Sequence, residues 1–433
     1  MKTQNPTRVL LLVEQANPAW QSVPLVGWSH YEALAKQTKA HLVTHIRNRD
    51  DILKTGLKEG SEFTAIDSEA IAKPVWKFGT LLRGGAGKGW TTLQAVGAIS
   101  YYYFEYLAWK QFKAKLIAKE FDLVHRITPV SPTIPSPMAK WCHSIGIPFV
   151  LGPLNGGLPW PKEFPSLATQ EREWLVPFRN LYRKLPYQRS TQKLTSAVIV
   201  GSRDQWDDWQ KGPNQNLFYI PENGIDPGRF ANPVRKVATK PIKILFVGRM
   251  VPYKAGDILI EAIQQPLRVG DVTLTMVGDG PHRPTLEKLV ADLSLTQAVT
   301  FVDSVPHTEI ASYFQDSDLF GFPSLREFGG AVVIEAMAQG SVPIVVDYGG
   351  PPEFVTPQTG VKIPLGNRDS IVAALRAAVQ RFVDNPSSLE PMSQAAQADM
   401  QARLTWDAKV KLDLAIYDWL LGRGDKPSFT PPP

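Results

Sequence analysis

Glu327 and Glu335, with seven residues between them, bracket the stretch Phe328-Gly329-Gly330-Ala331, which leads from an apolar run into a helical pattern. Free backbone N–H groups at such a helix start, with the helix dipole behind them, suit a phosphate. Glu327, before the helix, can accept hydrogen bonds from hydroxyls on one side of that phosphate, and Glu335, within the helix, from a diol on the other. Taken alone, such a pair is a solvated helix end. Arg249, at the end of the run Ile244–Val247, and Lys254, in the following loop, change its meaning. Two cations and helix N–H groups together can hold a diphosphate and stabilise the charge that grows on it as an attached group leaves.

Other suggestive groupings carry less. Gly87-Lys88-Gly89 lacks the hydroxyl residue and the earlier glycine that a phosphate loop needs. Asp316-Ser317-Asp318 could hold a divalent cation, but Arg249 and Lys254 already supply positive charge, so no metal is expected. His45 and His125 fall on predicted strands and read as satisfied buried histidines. Cys142, the single cysteine of the chain, reads as a small core residue and leaves no intramolecular disulfide and no cysteine zinc cluster.

These groups need a scaffold, and the pattern of apolar runs supplies one. Val9–Val13, His41–Ile46, Leu123–Ile127, Pro148–Leu151 and Ala197–Val200 alternate with helical spacing. A second series follows: Ile244–Val247, Leu274–Val277, Val299–Val302, Leu319–Phe322 and Pro343–Val346. Both series read as βαβ units, so the expected fold class is α/β, with two Rossmann-like domains facing across a cleft that holds the ligand. The expected division of the 433 residues is 1–225, 226–405, a C-terminal helix over 406–422 able to pack back on the first domain, and a disordered proline-ended tail, 423–433.

Hydrophobic residues make up 43% and charged residues 20%, a globular balance that excludes a chain too polar to collapse. The net charge of +6 is unevenly spread. Residues 73–119 hold eight basic residues against Glu105 alone, together with Trp76, Trp90, Trp109 and a run of tyrosines. That pairing predicts reversible contact with an anionic membrane, the alternative being a buried helix of the first domain over 91–109 with a solvated lysine face. The positive excess lies outside the second series, which argues against nucleic acid. With no apolar run long enough for a signal or a span, the expected place is cytoplasmic, extending to the inner face of a membrane.

Gly248-Arg249…Lys254…Gly256, Val277-Gly278-Asp279-Gly280-Pro281, Pro323-Ser324…Glu327-x7-Glu335-Ala336-Met337-Ala338, Gly340-x-x-Pro343 and Gly349-Gly350…Glu353 resemble, in this order, the retaining glycosyltransferases of family 4, which have the GT-B fold. The resemblance is dense from Asn223 to Pro364 and thin before it. It implies that Arg249 and Lys254 bind the diphosphate of a nucleotide-sugar donor, that Glu335 holds the ribose and that Glu327 positions the sugar. Gly330 and Ala331 match phosphate-binding amides, with Gly329 brought in because Phe328 displaces the usual glycine. Gly27 matches the glycine of the first strand-to-helix turn, and Val305 a backbone contact to the nucleobase. Asn155, in Gly152-Pro153-Leu154-Asn155-Gly156-Gly157, stands where many members have a histidine near the donor sugar. The resemblance further implies no cofactor, no metal and transfer with retention to a hydroxyl acceptor entering through the first domain, the basic segment favouring a lipid-linked or membrane-borne one. A nucleotide-sugar epimerase on the same scaffold, or a non-catalytic nucleotide-sugar-binding module, is the alternative.

Overall fold

The computed structural model describes residues 6–74, 90–170, 185–226, 228, 238–306 and 309–431, the side chains of 90–97 and 168–170 excepted. The chain forms two compact units. The first comprises Met1–Gly157, Ala168–Glu222 and Lys409–Pro433, and the second Leu158–Leu167 with Asn223–Ala408.

The first unit is built on seven parallel strands, β1 (Arg8–Val13), β2 (Lys39–His45), β3 (Phe63–Ile66), β4 (Leu123–Thr128), β5 (Phe149–Leu154), β6 (Ala197–Val200) and β7 (Leu217–Tyr219), in the order β3-β2-β1-β4-β5-β6-β7. The second is built on six: β8 (Ile242–Val247), β9 (Val272–Val277), β10 (Val299–Val302), β11 (Leu319–Phe322), β12 (Val342–Val346) and β13 (Val361–Ile363), in the order β10-β9-β8-β11-β12-β13. Helices cover both faces of such sheets, which is why the central strands read as unbroken apolar runs rather than alternating ones. Leu10, Leu12, Val124, Phe149 and Val198 lie in the core of the first unit, with Cys142, whose thiol pKa is pushed up by burial. Ile244, Phe246, Leu274 and Ile344 are their counterparts in the second. The two Rossmann-like sheets expected from the sequence are therefore present.

Four features differ from expectation. The segment Leu158–Leu167, assigned to the first domain, belongs to the second unit, because Leu158 is buried there and Phe164 and Leu167 pack against its core. The second unit also begins at Asn223 and runs on to Ala408, three residues into the last helix, Trp406–Leu420, whose remainder packs in the first unit. There Asp413 meets His30 and Tyr417 meets His125. The tail read as disordered runs beside β7: Tyr219 N–H donates to the Phe429 carbonyl and the Phe429 ring lies 6.2 Å from that of Phe218.

The fourth concerns the basic aromatic segment. Helix Trp90–Ile117 buries Tyr101, Phe104, Ala108, Phe112 and Leu116 in the core of the first unit. Trp109 stacks on Trp141 with ring centres 5.5 Å apart. Much of the aromatic density taken for a membrane contact is therefore core, because the spacing 101, 104, 108, 112 turns one helix face inward. Trp76 and the Gly87-Lys88-Gly89 loop lie outside the described residues, as does the Trp90 side chain.

Candidate functional site

In the second unit the strand order reverses between β8 and β11, the place where open α/β sheets receive ligands beyond the carboxyl ends of their strands. The loops that follow these two strands carry most of the residues singled out above. Arg249 stands two residues beyond β8, exposed and unpaired among the described residues. Lys254 ends the short 3-10 turn Pro252–Lys254. Glu327 lies between β11 and helix Ala331–Ala338.

The Lys254 ammonium donates to Glu327 Oε2, and the Lys254 Nζ lies 4.6 Å from the centre of the Phe322 ring. Both partners are mostly shielded from water. An ammonium has three N–H donors, and a carboxylate has a second oxygen, so the pair keeps capacity for a ligand on each side. The Leu325 N–H donates to the Tyr253 carbonyl at 2.8 Å, which fastens the Lys254 loop to the Glu327 loop.

Glycines set the depth of this crevice. A Cβ on Gly278, where φ is +136°, would sit 2.2 Å from the Gly248 carbonyl oxygen, so only glycine lets the loop after β9 lie against the loop carrying Arg249. A Cβ on Gly349 would sit 2.3 Å from the Glu327 carbonyl oxygen, and the next residue's N–H, that of Gly350, donates to that oxygen at 3.0 Å. The motif glycines thus hold the backbones of these loops in contact.

Helix Ala331–Ala338 opens at Gly330 (φ 68°) with no side-chain cap and no acidic residue in its first turn. The amides of Gly330 and Ala331 are at its N-terminus, Gly329 just before it and Glu335 half-buried one turn further in. Val305 follows β10 and is half-buried against the core. β10 is two strands from β8, roughly 10 Å at the usual spacing. Arg249, Lys254, Glu327, Gly329, Gly330, Ala331 and Glu335 therefore cluster about one reversal point, with Val305 off to one side.

Gly27 and Asn155 belong to the other unit. Gly27 lies within helix Val23–Ala35, not in the turn before it, because Pro24 starts the helix early. A Cβ there would meet the Gln15 carbonyl oxygen at 2.2 Å and Val13 Cγ1 at 2.9 Å, so this glycine packs the helix on β1. Asn155 is buried just beyond β5, its N–H donating to the Val130 carbonyl at 2.8 Å.

Asp316 and Asp318 are at the far end of the strands. Asp316 accepts from Lys243 Nζ at 2.6 Å, and Asp318 accepts from the Lys243 N–H at 2.9 Å. Among the described residues no group of three or more His, Cys, Asp or Glu side chains could hold a metal ion.

One set of residues escaped the sequence reading. Arg326, Phe328, Tyr253, Tyr348 and Trp160 surround the Glu327 loop, and the only hint of them was an arginine and an aromatic flanking Glu327.

Residues 230–399 match the family model of glycosyl transferases group 1. The chain is 30% identical over 208 residues to glycogen synthase of Mycobacterium tuberculosis, covering 48% of this chain and 49% of that protein. It is 30% identical over 215 residues to a GDP-mannose-dependent monoacylated alpha-(1-6)-phosphatidylinositol monomannoside mannosyltransferase of Corynebacterium glutamicum, covering 45% and 54%. The chain thus spans about half the length of the curated relatives it matches. Among solved structures, a glycosyltransferase of Rickettsia africae superposes with a TM-score of 0.62 at 16% identity, over 97% of this chain and 100% of that one. Sucrose-phosphate synthase of Thermosynechococcus elongatus gives 0.61 at 19%, over 96% and 100%. The fold is the GT-B type of these glycosyltransferases.

Proposed function

We propose that this protein is a retaining glycosyltransferase of family 4 that moves a sugar from a nucleoside-diphosphate donor to a hydroxyl acceptor, without a metal ion or other cofactor. The observation that carries the reading is the Lys254–Glu327 pair at the β8/β11 reversal, with exposed Arg249 and an uncapped helix start beside it. Arg249, Lys254 and the amides of Gly329, Gly330 and Ala331 receive the diphosphate, Glu335 the ribose and Glu327 the sugar hydroxyls; Val305 lies toward the base. Gly27 and Asn155 are assigned to the donor as well. The match of residues 230–399 to glycosyl transferases group 1 and the GDP-mannose dependence in the name of the Corynebacterium relative support a nucleotide-sugar donor.

In the proposed transfer the acceptor oxygen forms a bond to the anomeric carbon as the bond from that carbon to the phosphate oxygen breaks, and the acceptor proton passes to the departing phosphate. Lys254 and Arg249 meet the charge that develops there, so positioning and electrostatics do the work and no side-chain nucleophile is needed.

Calorimetric titration with UDP and GDP tests the donor site. Glu335→Ala and Arg249→Ala each remove a charge-assisted contact of roughly 1.5–3 kcal/mol, so affinity falls about ten- to a hundredfold. Unchanged affinity in both variants, with the fold intact, overturns the assignment. Full conversion of a UDP-sugar with no acceptor present would instead favour the epimerase.

The acceptor side is proposed to be membrane-borne and the protein to sit reversibly at an anionic surface, in the cytoplasm. Ile99, Tyr106 and Ile117 are exposed on helix Trp90–Ile117, and Lys110, Lys113, Lys115 and Lys119 are exposed on and just after it. No described helix is long and apolar enough to cross a membrane. Each lysine near an anionic leaflet is worth on the order of 1 kcal/mol. Co-sedimentation with anionic vesicles at low salt, reversed by salt and abolished when the four lysines become glutamate, is the expected outcome; wild-type protein left in the supernatant points to a soluble acceptor.

A further inference from the structure

The segment Leu158–Leu167 leaves the first unit directly after Asn155-Gly156-Gly157 and returns to it at Ala168, yet it packs in the second unit. Its contacts converge on the neighbours of Lys254 and Glu327. The Arg326 guanidinium donates through Nε and Nη2, each at 3.2 Å, to the Leu158 carbonyl. It also lies over two rings, its Cζ 4.4 Å from the centre of Trp160 and 4.9 Å from that of Phe328. Trp160 meets Tyr253 edge-on, with ring centres 6.1 Å apart and planes at 81°. The Tyr348 hydroxyl donates to the Pro159 carbonyl at 2.7 Å. Leu158 itself is buried against Gly349, the glycine under the Glu327 backbone.

Arg326 and Phe328 flank Glu327 on either side, Tyr253 precedes Lys254, and Tyr348 precedes Gly349. The segment therefore grips the residue before Lys254, both residues around Glu327 and the turn beneath them. A guanidinium in contact with two aromatic faces that also binds one carbonyl through two N–H groups has few other orientations open to it. The loop that carries Glu327 is fixed from outside the loop.

We propose that Leu158–Leu167 is a strap that positions Glu327 toward the sugar of the donor, with Arg326 and Trp160 as positioning residues. This rests on the reading of Glu327 as the sugar-binding carboxylate. The strap acts chiefly on the sugar half of the ligand, because its contacts surround Glu327 on both sides, whereas of the groups assigned to the diphosphate (Arg249, Lys254 and the helix amides) it reaches only the neighbour of Lys254, Tyr253.

The test compares UDP with UDP-glucose, and GDP with GDP-mannose, by calorimetry on the full chain, for wild type, Trp160→Ala, Arg326→Ala and Trp160→Phe. The nucleotide-sugar that wild type binds best is then followed for release of nucleoside diphosphate. In the two alanine variants, affinity for the bare diphosphate stays within about twofold of wild type, while the added affinity for the sugar and the release rate fall about tenfold or more, as a misplaced group produces. Trp160→Phe keeps a ring over Arg326 and recovers most of both. The strap is overturned if the alanine variants match wild type in sugar affinity and release. It is equally overturned if diphosphate and sugar affinity fall together with the melting temperature, since the segment is then only part of the packing. A wild type that binds neither diphosphate overturns the donor-site reading, and the strap with it.

Discussion

The two units present the same sheet design, a first strand beside a reversal of strand order, and use their ionisable side chains in opposite ways. In the second unit Arg249, Lys254 and Glu327 stand on loops beyond the strand ends. In the first, the charges lie within the strands and helices. Arg126, in β4, is fully buried and donates to three carbonyls of the loop that follows its own strand, those of Pro129, Ser131 and Ile134. Glu105, buried on helix Trp90–Ile117, accepts from the Ser136 hydroxyl at 2.6 Å and the Met138 N–H at 2.9 Å, and burial raises its pKa. His30 and Asp413 meet at 2.7 Å across 383 residues of sequence. A charge on a loop at a reversal point keeps bonding capacity for a ligand. A charge inside the sheet spends it on joining distant parts of its own chain, where an unpaired polar group would cost several kcal/mol. Perturbed ionisation in the first unit thus goes with structure, whereas position at the strand ends leaves the second unit's charges the bonding capacity a ligand needs.

The largest effect that sharpens this contrast is a pH dependence confined to the first unit. His125 lies between the Gly152 carbonyl, 2.7 Å from Nε2, and the Tyr417 hydroxyl, 2.6 Å from Nδ1. The carbonyl can only accept, so Nε2 carries the proton and Nδ1 accepts from the tyrosine. Burial lowers the pKa of His125 to about 4, against the opposing pull of Asp413. The unfolded chain, with a histidine near 6.5, therefore binds more protons than the folded one between those values. Stability is full above pH 6.5 and is lost as pH falls toward 4, by about 3 kcal/mol from this residue. Glu14, which burial pushes up to about 7, works in the other direction but is common to wild type and variant. Urea unfolding of wild type and of the double variant His125→Leu, Tyr417→Phe at pH 7.5 and pH 4.5 should show a smaller loss on acidification in the variant. Equal losses would remove His125 from the structural account of the first unit.

How far each region could be read in advance follows from how local its signals are. The motif from Pro323 to Ala338 is contiguous, and the loops that meet it carry glycines whose spacing is visible without a structure. The central strands, buried on both faces, announce themselves as apolar runs. β3, β7 and β13 do not, since each is a sheet edge of three or four residues. The strap was hidden because nothing in Leu158–Leu167 distinguishes a segment packed on one sheet from one packed on the other. Composition alone leaves the aromatic helix open between a membrane contact and a buried helix, although the intervals between Tyr101, Phe104, Ala108 and Phe112 already describe an inward face. The last helix is legible as a helix able to pack back on the first domain, but its partners there, His30 and His125, are not, because they lie hundreds of residues away.

The smallest expected effect is none, and it tests whether the second unit's cations suffice for the proposed diphosphate. Asp316 and Asp318 are the obvious carboxylates for a divalent ion, but both are engaged with Lys243 near the start of β8. Arg249 lies six residues further along that chain, roughly 20 Å at the rise of an extended strand. A cation held by the aspartates would be too far from a diphosphate at Arg249 and Lys254 to neutralise it or to polarise the bond that breaks. Turnover of the nucleotide-sugar in excess EDTA should therefore stay within about twofold of the rate with Mg2+ or Mn2+ present, as it does where fixed cations replace the metal. Replacing both aspartates by asparagine should leave the rate equally unchanged, while Lys254→Ala lowers it. Loss of turnover in EDTA, restored by either ion, would mean that the positive charge of the second unit is incomplete without a metal, and that strand-end position alone does not mark its chemistry.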